Sequence, residues 1–197
     1  MIPAFVTELL RLHPDLVLLT ADEGDLAGTV HRGAVFSPAG SDGRSEHRYA
    51  LWRIFDPALP LLIAVLLNPS TADEIDDDAT VMRMTVRATR LGYGGVVIIN
   101  LFSWRDVSPA AMKKVPQPIG PACDDVIDLA VAEAGLVLCG WGSHGNHMAR
   151  SDAVGSRLVE RGIALTCLRK TAGGQPEHPL YLPYVLEPVA WYPGEQA

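Results

Sequence analysis

The chain lacks any apolar run approaching the ~20 residues needed to span a bilayer. Basic residues are in deficit. The 16 Lys and Arg stand against 23 Asp and Glu, a formal net charge of −7. That balance argues against a large, indiscriminate nucleic-acid surface, though a small basic site on one face stays compatible with it. Cysteine is scarce. Cys123, Cys139 and Cys167 have no metal spacing and are too few for a four-thiolate iron–sulfur cluster. They read as buried thiols in a reducing cytoplasm. The first residues, MIPAFVTELLRLHPDL, carry Glu8 and no basic start, unlike a secretory signal. With no internal repeat and no dividing linker, residues 1–197 are expected to form one domain with a sizeable core.

The most informative stretch is Leu61–Thr71, LLIAVLLNPST. A continuous apolar run marks a buried parallel strand. Pro69 cannot continue a ladder, and Ser70 or Thr71 can cap a following helix. Asn68 is thereby left at the carboxyl end of a central strand, where open α/β sheets place ligands. The acidic residues Asp73, Glu74, Asp76, Asp77 and Asp78 suit a helix N-terminus, with a metal or acid–base site as the alternative.

Residues 1–25 read as a helix and a short extended piece, 26–36 as one strand of a hairpin, Ser37–Ser45 as a mobile loop, and Arg48–Phe55 as a strand pairing with the earlier one. Alternating elements follow. Strands are expected at Leu61–Leu67, Val96–Leu101, Leu136–Cys139 and Ile163–Leu168, with helices at Asp76–Leu91, Cys123–Ala134 and Ser151–Arg161. This order predicts an α/β fold, a three-layer α/β/α sandwich around a mainly parallel four-stranded sheet, with an N-terminal antiparallel addition. Four unusual segments then fall at strand carboxyl ends: Asn68-Pro69-Ser70, Asn100–Trp104, Gly140–His144, and the Arg169–Tyr181 loop with His178-Pro179. Their convergence on one rim is the pattern of an active-site crevice.

The segments Leu67–Asp73, Asp77–Thr80, Gly92–Gly95, Asn100–Phe102, Trp141-Gly142 and Gly174–Leu182 resemble an uncharacterised bacterial and phage family, the domain of unknown function 1643, DUF1643. On fewer residues the chain also resembles the uracil-DNA glycosylase superfamily. Asn68-Pro69 is similar to that superfamily's first motif, which implies that Asn68 positions the attacking water. His178-Pro179 is similar to its second motif, which implies that His178 hydrogen-bonds the leaving base. The sequence departs at Leu180, where glycosylases carry Ser, and has Asn68 where the fastest enzymes carry aspartate, which predicts slower chemistry. The resemblance further implies base reading by Asn100, a WG turn at Trp141-Gly142, and a duplex wedge at residues 180–182, with Leu180 and Tyr181.

The residues suit the chemistry of cleaving an N-glycosidic bond, in which negative charge builds on the departing base. A preorganised donor such as His178 is worth roughly 3–4 kcal/mol there. An amide at Asn100 can donate to uracil O4 and accept from N3–H. Substrate contacts are expected from Pro69, Ser70 and Gly142, base stacking from Phe102, Trp104 or Trp141, and phosphate contacts from Arg169 and Lys170. The expected partner is DNA carrying uracil or an altered base, flipped into the pocket, and the expected state is a cytoplasmic monomer without cofactor or metal. A cationic His178 predicts an optimum on the acid side of neutrality. Arg83, Arg87 and Arg90 read as a solvated helix face. Two other functions fit the same pocket: a non-catalytic nucleotide- or DNA-binding module, and an enzyme processing hypermodified bases or free nucleotides.

Overall fold

The computed structural model describes residues 1–25 and 28–194. Helices α1 (Ala4–Leu12), α2 (Ala79–Arg90), α3 (Pro109–Met112), α4 (Cys123–Ala132) and α5 (Arg150–Glu160) surround one sheet. Its strands are β1 (Val17–Asp25), β2 (Gly28–Phe36), β3 (Arg48–Ile54), β4 (Leu61–Leu66), β5 (Gly95–Asn100), β6 (Ala134–Gly140), β7 (Leu165–Cys167) and β8 (Val189–Ala190). Of the strand expected over 26–36, residues 26 and 27 lie outside the described residues and the rest is β2.

The four mainly parallel strands and the N-terminal antiparallel addition expected from the sequence lie within one larger mixed sheet. Eight strands run in the order β1-β2-β3-β5-β4-β6-β7-β8. The middle is parallel: β5 pairs β4, β4 pairs β6, and β6 pairs β7, all in the same direction. The N-terminal strands are continuous with it, because β3 pairs antiparallel with β5 through Leu51↔Ile98 and Trp52↔Val97. β8 closes the other edge as two exposed residues against β7, too short to show any apolar period. Ser37–Ser45, expected as a mobile loop, folds as a turn in which Gly40 N–H donates to Arg44 O at 2.8 Å.

Strand parity sorts the two faces. Leu62, Ala64, Leu66, Val96, Ile98 and Leu138 pack with Val81, Met84 and Ala88 of α2. The alternate residues Ile63, Val65, Val97, Ile99, Val137 and Cys139 pack with Phe5, Ile127 and Leu158 from α1, α4 and α5. This is the period-2 alternation that a sheet covered on both faces imposes. β4 lies between β5 and β6, so the chain leaves it toward one side and later returns on the other. A crevice opens at the carboxyl end of the strand where such a reversal occurs.

Candidate functional site

Parity continues past the strand ends and aims two amides at the α2 face. Asn68 follows Leu62, Ala64 and Leu66 in step, and Asn100 follows Val96 and Ile98. Between these ends and α2 lies a small cavity of about 30 Å³, whose lining includes Asn68, Asn100, His178, Asp78 and Arg48. It adjoins a larger cavity of about 790 Å³, which also contains Asn68, Ser70, Asp78, Thr80 and His178 in its walls. Those five residues form the partition between the two spaces. By size the smaller one takes a water molecule and the larger one a heterocycle.

The hydrogen bonds fix how these side chains present themselves. Asn68 Nδ2 donates to the carbonyls of Pro69 (3.1 Å) and Asp106 (2.7 Å). Both acceptors demand the NH₂ group, so the amide cannot flip and its Oδ1 is left as an acceptor. His178 Nδ1 accepts the Leu180 N–H at 3.3 Å, which puts the ring proton on Nε2. Burial pushes the His178 pKa down to about 4, against the opposing pull of the Asp78 carboxylate. The ring is therefore neutral near neutrality. The cationic histidine behind the expected acid optimum does not form there, and a neutral N–H is what it offers.

Asn100 is buried, and its Nδ2 has no hydrogen-bond partner among the described residues. A buried donor without an acceptor costs about 1–3 kcal/mol. Arg48 is in the same condition at Nε, although its Nη1 donates to Ala72 O at 2.6 Å. Burial pulls the Arg48 guanidinium down to about 10.

The aromatic residues are distributed differently from expectation. Phe102 is fully buried in the core against the His147 ring and cannot stack on a ligand. Trp141 borders the larger cavity but is 1% exposed. Its indole N–H donates to Gln175 Oε1 at 2.8 Å, and its ring meets Trp191 edge-on at 5.1 Å. Parity explains this, because Trp141 continues the Val137–Cys139 face rather than the α2 face. Trp104 lies in a neighbouring groove of about 670 Å³, with Phe36 and Arg105, which shares Ser70, Asp106 and Val107 with the larger cavity. The exposed aromatic on the larger cavity is Tyr181, at 82%. Leu180, Ser70 and Gly142 line that cavity as well. Gly142 has φ +65° and donates its N–H to Pro176 O at 2.7 Å, which ties the turn after β6 to the His178 loop.

The expected phosphate contacts fare unequally. Arg169 is held by Glu177 in a two-pronged surface pair at 2.6 and 2.8 Å, so a phosphate has to compete with that carboxylate for it. Lys170 bridges Pro176 across the loop. Of Arg83, Arg87 and Arg90, expected as a solvated face, Arg90 is exposed and Arg83 half-buried, but Arg87 is buried. Arg87 is 1% exposed and donates to the carbonyls of Leu182, Pro183 and Leu186. Arg83 also bonds Leu182 O, and all three guanidinium groups gather around the Tyr184 ring at 4.5–6.0 Å. This clamp fixes the segment that follows His178.

The acidic cluster is mostly local structure. Asp73 Oδ1 accepts the N–H groups of Ile75 and Asp76, and Asp77 pairs with the buried Arg53. Asp78 caps α2 by accepting from Thr80 and Val81, both at 2.9 Å. Asp78 also borders both cavities, a position that the sequence marked only by including it among five acidic residues with an acid–base site as the alternative. The signal was there: an Asp two residues before Thr80, at a helix start facing the sheet rim. Among the described residues no three His, Cys, Asp or Glu side chains converge to ligate a metal, and no helix is long and apolar enough to cross a membrane.

A family model described as a protein of unknown function (DUF1643) matches residues 48–180. No curated protein and no solved structure matches the chain significantly.

Proposed function

This chain belongs to the DUF1643 family, and from its site we propose a hydrolase of uracil-DNA glycosylase type. It would cleave the N-glycosidic bond of uracil, or of a related altered pyrimidine, in DNA. The observation that carries the reading is that Asn68, Asn100 and His178, far apart in sequence, line one polar cavity. Each presents the group this chemistry needs. Asn68 Oδ1 accepts a hydrogen from water and holds it at a fixed angle. The Nε2–H of a neutral His178 stabilises charge developing on the base, as neutral imidazoles do elsewhere. The orphaned Nδ2 of Asn100, which lines only the smaller cavity, finds an acceptor in a water held there, and that water relays the reading of a keto oxygen such as uracil O4, which cytosine replaces by an amino group. The base enters the larger cavity under Tyr181, with its polar edge at the partition.

The test is base release from uracil-containing single- and double-stranded oligonucleotides. Wild type should produce abasic sites, and Asn68→Ala and His178→Ala should each slow release by about 10²–10³-fold, the usual loss for one such group. No abasic product from wild type refutes the activity.

A second reading draws on one feature of the larger cavity: among the described residues its lining includes no Lys or Arg. That favours an uncharged ligand, such as a free nucleoside or a hypermodified base, over a phosphodiester at that point. Mass analysis of products from nucleosides and modified DNA separates the two. Saturable binding without bond cleavage would instead mark a non-catalytic module.

A further inference from the structure

We propose that Asp78 is the proton acceptor of this site, taking the proton of a water held by Asn68 while His178 faces the departing base. The proposal rests on the hydrolytic reading above and adds a residue to it. An amide orients water but does not take its proton, so hydrolysis at Asn68 needs a base nearby. Three carboxylates line the larger cavity: Asp78, Asp106 and Glu177. Glu177 has both oxygens bound to Arg169. Asp106 is absent from the lining of the smaller cavity, and one of its oxygens accepts the Ser108 N–H. Asp78 alone of the three borders both spaces, in company with Asn68 and His178.

Its geometry suits the task. Oδ1 is committed to the Thr80 and Val81 N–H groups, which hold the carboxyl group in place. Oδ2 takes no hydrogen bond from the described residues. The titratable neighbours are the charged Arg48 from β3 and the neutral His178 from the opposite loop, while Asp77 is engaged by Arg53. In the step, water oxygen bonds to C1′ of the sugar and the C1′–N bond breaks. The electron pair leaves with the base, hydrogen-bonded by His178 Nε2–H. The water proton passes to Asp78 Oδ2 and later neutralises the base, so no other reactant is consumed.

The test is Asp78→Asn, which keeps an equally good helix cap and removes the base. The expected result is a kcat lower by about 10²–10³-fold at similar KM. The acid limb of the kcat–pH profile should vanish, with the melting temperature close to wild type. A variant that keeps the wild-type rate and profile overturns the proposal. A second readout needs no turnover: proton NMR titration of His178. Removing a facing carboxylate should lower its pKa further, and an identical titration in both proteins overturns the pairing. If wild type releases no base, the hydrolytic reading falls and the base role of Asp78 falls with it. An active wild type with an equally active Asp78→Asn removes Asp78 alone.

Discussion

His178 shows how one buried ring makes stability depend on pH. Its ring is held at a pKa of about 4, below the ordinary 6.5. Between those values the unfolded chain binds a proton that the folded chain refuses. Stability is therefore full above about pH 6.5 and declines as pH falls toward 4, by up to roughly 3 kcal/mol from this group. His178→Gln should lose less stability than wild type between pH 7.5 and 4.5, which paired urea melts would measure. Equal losses would show that the ring is not the responsible group. The placement of Asn68 and Asn100 at strand carboxyl ends was legible in the sequence; their turn toward the α2 face follows from period-2 alternation once the strand limits are known. The same counting puts Trp141 on the opposite face. Phe102 and Trp104 were opaque, since an aromatic just past a strand end reads alike whether it turns inward or outward.

At the scale of elements, α2 does two jobs. Its apolar stripe, Val81, Met84 and Ala88, covers the sheet, and its arginines grip the chain after His178. Arg87→Ala should remove charge-assisted bonds worth about 1.5–3 kcal/mol. For a chain of this size that lowers the melting temperature by about 3–12 °C, readable by calorimetry. The strands and helices of the parallel middle were legible because apolar runs and helix-ending glycines punctuate them, as at Gly92 and Gly162, both with positive φ. The arginine clamp was not. Helical spacing places Arg83, Arg87 and Arg90 on one face, and nothing local tells that a segment nearly 100 residues later lies across it.

Over the whole molecule, a net charge of −7, an Arg169 paired with Glu177 and, among the described residues, a larger cavity whose lining has no Lys or Arg disfavour a long phosphate track at the site. Oligonucleotide binding should therefore depend weakly on salt. The slope of log Kobs against log[salt] should be no steeper than about −2, equivalent to two or three released counterions. A slope of −5 or beyond, from fluorescence anisotropy across 50–300 mM salt, would reveal a basic track that this reading does not contain. The arginine clamp carries a consequence for the chain during synthesis. The bonds that seat the His178 loop join residues 95–99 positions apart, and contacts so distant close late. A nascent chain released only through residue 170 already holds every strand of the parallel middle, yet the pocket has no fourth wall. Completion of the pocket would then lag behind secondary structure on the ribosome and wait for the segment from His178 to Leu186.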